Sequence, residues 1–135
     1  MPQLVEACEI TTSTTDFVDQ LEDLCLKLRS KLSGRELATV VLRLADFSPV
    51  GNRSQSRARR LMIEGALCYV CRELKIKGVH CRDGSDIGKA LSMSKAEADK
   101  HGEALSDKHS TAAAAALSGL PPTPVTTGEG HEPVL

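Results

Sequence analysis

Phe17, Leu21, Leu24, Leu28 and Leu32 recur at steps of four, three, four and four residues, a spacing that an α-helix gathers onto one face. Glu22, Asp23, Lys27 and Lys31 fall elsewhere on the same helix. Such a stripe needs a partner, either the core of its own chain or, given its near-heptad spacing, the seam of a dimer. With no Trp, one Tyr and two Phe in 135 residues, the core must come from Leu, Val, Ala and Ile. That supply suits packed helices better than an aromatic-rich sheet, and the length suits one domain with tails.

The chain divides accordingly. Residues 1–14 are expected to form a flexible N-terminus, with Thr14 or Thr15 capping the helix that follows. Gly34 stops that helix, and Ser33 with Glu36 has capping-box spacing for another. Leu37, Val40, Val41 and Leu44 supply its apolar face, so an antiparallel αα-hairpin is expected before the "SPVGN" loop. A third helix, capped by Ser54 or Ser56, has Ile63, Leu67, Val70 and Leu74 on one side and Arg53, Arg57 and Arg60 on another. "LKIKGVHCRDGSD" reads as a short strand or extended knuckle closed by Asp83-Gly84, and "DIGKALSMSKAEADKHGEAL" as helix interrupted around Ser92 to Ser94. The fold class is therefore mainly α, a single helical domain over 15–105 whose basic, cysteine-containing centre spans 51–84. Residues 106–135 form an Ala/Pro-rich tail expected to be disordered, its alanine run extending a helix without docking it.

Charge is uneven along the chain. Residues 1–50 carry five Lys/Arg against eight Asp/Glu, net −3, whereas residues 51–82 carry eight against two, net +6. A concentrated basic block favours polyanions, because each neutralised phosphate releases counterions. Arg53, Arg57, Arg59, Arg60, Arg72, Lys75 and Lys77 are the candidate nucleic-acid contacts. The plainer alternative is a solvated helix face. "RSQSRARR" also has the composition of a nuclear import signal, open to phosphorylation at Ser54 or Ser56.

Five cysteines, an odd number with no signal-peptide core ahead of them, favour a reducing, intracellular setting. Cys68-x-x-Cys71 followed by His80 and Cys81 has the residue types of a zinc knuckle, which in so small a domain contributes on the order of 10 kcal/mol to folding. Adjacent His80 and Cys81 point to opposite faces of an extended chain, so Cys25, Cys8, His101, Asp83 or Asp86 would have to complete the tetrahedron. Otherwise Cys68 and Cys71 are small half-buried side chains on an unbroken helix. A thioredoxin-like role is disfavoured, since no βαβ pattern is evident around the pair.

Ile87, Leu91, Met93 and Ala98, with Ser94 as a cap, fall roughly where a helix-turn-helix needs them. Glu97, Asp99 and Glu103 on the second helix would repel phosphate, so a helical hairpin packed on the core is the stronger reading. No Gly-rich phosphate loop, G-x-S-x-G or H-E-x-x-H is present, and no enzyme is expected. No run approaches the length of a bilayer span.

"PVGNRSQSRARR", then "CYVC", then "HCRDG" resembles the cysteine-rich nucleic-acid-binding proteins of carlaviruses and related flexuous plant RNA viruses. Pro49, Gly51, Asn52, Arg53, Ser54, Arg57, Arg59 and Arg60 match the family's basic segment, and Cys68, Cys71 and Cys81 match three ligand positions. The likeness covers about residues 35–84, with a thinner arginine run and no fourth cysteine after Asp83-Gly84. It implies a viral-type regulator that binds RNA, before DNA, with little sequence preference. It further implies suppression of RNA silencing or pathogenicity in the host cytoplasm and nucleus. Zinc as the cofactor, from the cysteine and histidine set, and a homodimer through the helix at 15–32, from its near-heptad stripe, are further expectations. A helical protein-interaction adaptor and a helix-turn-helix transcription regulator are the alternatives.

Overall fold

A computed structural model describes residues 2–46 and 55–121. Among the described residues, five helices and two strands follow the order α1 (Phe17–Leu32), β1 (Thr39–Arg43), α2 (Gln55–Glu73), β2 (Gly78–Arg82), α3 (Gly84–Ala90), α4 (Lys95–Leu105) and α5 (Ser110–Ser118). The protein is mainly helical. Its N-terminal residues take neither helix nor strand but lie along α1, where Lys27 Nζ donates to the Thr11 carbonyl at 2.7 Å and Glu6 pairs with Arg35 at 2.8 Å. α1 is capped by Asp16, whose carboxylate accepts from the Asp19 N–H, rather than by either threonine before it. It stops at Ser33, and Gly34 takes φ +76°, the left-handed turn a glycine adopts without strain.

A strand over residues 39–43 takes the place of the second helix of the expected αα-hairpin. Thr39, Val40 and Val41 are β-branched, and β1 pairs in parallel with β2, from Thr39 opposite Gly78 to Arg43 opposite Arg82. Alternation puts Thr39 and Val41 on the face that meets Gly119 after α5, while Cys81 of β2 faces α2 through Cys68. Both faces are covered, so the strand shows no polar alternation and its apolar spacing imitates a helix. β1, α2 and β2 therefore make a βαβ unit around the Cys-x-x-Cys pair, a setting that the spacing of the residues does not announce.

α1 packs on α2 instead, and the two run parallel: Arg59 near the start of α2 lies 5.1 Å from the Phe17 ring, and Arg29 near the end of α1 meets Glu73 at 3.0 Å. The stripe on α1 is half-buried, with Leu28 and Leu32 lining a groove of about 420 Å³ between α1, α5 and the N-terminal segment. On the other face of the sheet, Ile87, Ala98, Ala114 and Ala115 form the buried core, with Val41, Leu91 and Met93 packed against it. The alanine run thus docks, contrary to expectation. A methyl side chain lets helices approach closely, and Gly102 of α4 deepens that approach. Residues 122–135 of the expected tail lie outside the described residues.

Asp83-Gly84 is a helix start rather than a hairpin turn. Asp83 accepts from the Asp86 N–H at 2.9 Å and Asp86 returns the bond at 3.3 Å, a capping box. Ser94 caps α4, as the sequence indicates. Both α2 and α3 end in Schellman geometry: Ile76 N–H donates to the Cys71 carbonyl and Met93 N–H to that of Gly88. The left-handed positions are Lys75 at φ +63° and Ser92 at φ +58°.

Candidate functional site

The candidate residues concentrate on α2 and on the turn leading to β2. Arg53, Ser54 and the preceding loop lie outside the described residues. Arg57 is half-buried, whereas Arg59, Arg60, Arg72, Lys75 and Lys77 are all exposed on α2 and the turn after it. Arg60 is occupied on one side, its Nε donating to Glu64 Oε1 at 3.0 Å, and Arg59 stacks toward Phe17. Arg72, Lys75 and Lys77 cluster where α2 ends. The basic residues therefore flank the helix and crowd its C-terminal end rather than forming one straight stripe. Cations there also suit the negative end of the helix dipole.

The outermost ridge of α2 is apolar and aromatic. Leu61, Met62 and Tyr69 are 55%, 57% and 65% exposed. Tyr69 stands one turn before Arg72, so an aromatic face and a guanidinium are neighbours on the helix surface. Helical spacing alone conceals this ridge, because Ile63, Leu67, Val70 and Leu74 already account for an apolar face. Tyr69, the single tyrosine in the chain, is the signal that marks it.

The cysteines face inward, toward β2. The Cys68 and Cys81 sulfurs are 3.6 Å apart, linking α2 to the strand, and Cys71 is fully buried beside them. Although Cys81 has an exposed surface, its sulfur lies against α2. Desolvation there, followed by the hydrogen bond with Cys68, pushes its thiol up to about 11. Burial likewise raises Cys71 above the usual thiol range. Glu64, one turn before Cys68, accepts the Ala45 N–H at 2.9 Å through Oε1, while its buried Oε2 has no hydrogen-bond partner among the described residues.

The described residues do not bring the candidate zinc ligands together. Cys68 and Cys81 meet, but His80 projects from the opposite face of β2, the face that carries Arg82 to Ser118 of α5. Asp83 and Asp86 are engaged in their capping box, and His101 is exposed on α4. Among the described residues, no group of three or more His, Cys, Asp or Glu side chains is placed to hold a metal ion. The βαβ setting does not make the pair thioredoxin-like either. Both cysteines sit in the second half of a 19-residue helix, away from the positive N-terminal end that lowers a thiol pKa.

The helix-turn-helix positions are filled as packing requires: Ile87 and Ala98 are buried and Leu91 and Met93 pack against them, leaving Glu97, Lys100, His101 and Glu103 exposed on α4. Among the described residues, no helix is long and apolar enough to cross a membrane. Comparison with protein-family models, curated proteins and solved structures gives no match.

Proposed function

We propose that the protein acts by binding rather than by catalysis, and that its ligand is single-stranded nucleic acid, RNA before DNA, held with little sequence preference along α2 and the turn after it. The observation that carries this reading is exposed Tyr69 one turn before exposed Arg72 on α2, with exposed Lys75 and Lys77 in the segment that follows the helix. An accessible aromatic ring offers a stacking surface to any base, and neighbouring cations contact phosphates without reading sequence. The net charge of +6 over residues 51–82 supplies the long-range attraction. Suppression of RNA silencing is the downstream role in keeping with the family resemblance.

Titration of single-stranded and double-stranded RNA across salt concentrations tests the proposal. The triple variant Arg59→Ala/Arg72→Ala/Lys77→Ala is expected to weaken binding uniformly across sequences and to flatten the salt slope by about 1 per lost phosphate contact. A slope and affinity equal to the wild type would sink it. A protein-interaction adaptor is the second reading, favoured by the exposed Leu61 and Met62 beside Tyr69. It predicts no salt-sensitive RNA shift.

A further inference from the structure

We infer that Cys68 and Cys81 are a redox-active dithiol, which a peroxide-class oxidant converts into a disulfide clamping α2 onto β2. Three structural features carry this, independently of nucleic-acid binding.

The first is proximity. The two sulfurs are 3.6 Å apart, already in thiol–thiol contact, and closing them to the bonded distance of about 2.05 Å requires a shift of roughly 1.5 Å. Side-chain rotation on two adjoining elements supplies movements of that size. The second is access. Cys81 has exposed surface and Cys68 is half-buried, so the pair lies near the protein surface, whereas Cys71 is fully buried. The third is the ligand count. A zinc–thiolate tetrahedron has an S···S edge of about 3.8 Å, close to the separation here, but among the described residues no third and fourth ligand are placed to complete it. A sulfur pair in contact, with no metal-ligand set around it among the described residues, can undergo two-electron oxidation, slowly at neutral pH because burial keeps the thiolate fraction small.

The chemistry balances with hydrogen peroxide as oxidant. One sulfur attacks the O–O bond and becomes a sulfenic acid as the other oxygen leaves as water. The second sulfur then attacks the sulfenic sulfur, expelling its oxygen as a second water while the S–S bond forms. Both thiol hydrogens leave in the two waters, and two electrons pass from the sulfurs to the peroxide. The product joins residues 13 apart in sequence on different elements, so it restricts the unfolded chain and ties the second half of α2 to the strand.

The test uses the full-length protein, first reduced, then treated with stoichiometric hydrogen peroxide under native conditions, with remaining thiols alkylated and the peptides mapped by mass spectrometry. The expected result is a Cys68–Cys81 linked peptide that dithiothreitol reverses, with Cys71 alkylated only after denaturation, and a thermal midpoint that rises on oxidation. Cys68→Ala and Cys81→Ala each lose the link and the rise. If either variant fails to fold, the wild-type linkage map decides alone. Predominant Cys68–Cys71 or intermolecular linkage, or oxidation to sulfinic acid without any link, overturns the inference. So does stoichiometric zinc in the purified protein that shields both thiols from alkylation.

Discussion

Gly102 of α4 lies against Ser110 of α5 so closely that a Cβ on the glycine would collide with the Ser110 carbonyl oxygen. The next obstacle is the Ala114 backbone nitrogen at 2.7 Å, so no flexible side chain can swing aside to make room. Two helices joined by a short turn are held at this spacing because one presents a glycine and the other a run of alanines.

Gly102→Ala is therefore expected to destabilise the fold even though alanine is the better helix former. Helix propensity favours the change by about 1 kcal/mol, while overpacking against rigid backbone costs about 3 kcal/mol, leaving a net loss of about 2 kcal/mol. Gly65 is the control, since it lies within α2 and a Cβ added there would meet nothing within 4 Å. Gly65→Ala should stabilise by up to about 1 kcal/mol. Denaturant melts of the two variants check both signs, and equal effects would show that close packing at Gly102 contributes nothing.

Asp46 ties the end of β1 to two helices. It accepts the Gly84 N–H at 2.8 Å, meets Arg43 at 3.1 Å and is paired with Lys95. The Lys95 hydrogen bond foremost, then that from Gly84, holds its carboxyl well below the usual carboxylate range. A depressed folded pKa stabilises fully above the unfolded value of about 3.9, and the benefit fades as pH falls below it. The side chain is 43% exposed, so solvent screening keeps the effect modest. Asp46→Asn keeps an acceptor for Gly84 but removes the charge. Urea midpoints between about pH 6 and about pH 2 should fall less steeply in the variant than in the wild type, and parallel curves would exclude this role.

Much of the helical framework is legible in the residues themselves. The stripe from Phe17 to Leu32, the Ile63 to Leu74 face and the Ser94 cap all follow from helical periodicity and capping, which are local signals. β1 is not legible in this way, since Leu37, Val40, Val41 and Leu44 satisfy helical spacing and the strand depends on a partner 39 residues away in register. The docking of α5 is equally hidden: alanine has no strong signature, and Ala113 to Ala115 become core only where Gly102 and Val41 come close. In the candidate site, Cys68 and Cys81 are legible as members of one cysteine group, but the direct contact between their sulfurs is not. Their meeting follows from the βαβ crossover, which is visible only once β1 is a strand.

Ser92 occupies the left-handed position of the α3 Schellman cap at φ +58°, where a Cβ crowds the following carbonyl. Glycine enters that region without strain but gives up more entropy on folding, so the two effects partly offset. Ser92→Gly is expected to stabilise by about 0.5–1 kcal/mol. Calorimetric melting checks it. A lowered midpoint would mean that the serine side chain makes a compensating contribution.

Tyr69 separates the two readings of the α2 ridge most directly. It is 65% exposed, so Tyr69→Ala removes little buried area and should leave stability nearly unchanged. If bases stack on its ring, the variant loses about 1–3 kcal/mol of affinity for single-stranded RNA, roughly tenfold or more. Tyr69→Phe retains the ring and should bind like the wild type, because stacking uses the π-face and not the hydroxyl. The salt slope should stay unchanged in both variants, since no phosphate contact is removed. Fluorescence anisotropy with a labelled single strand resolves these outcomes, and a Tyr69→Ala affinity equal to that of the wild type would confine nucleic-acid contact to the cations alone.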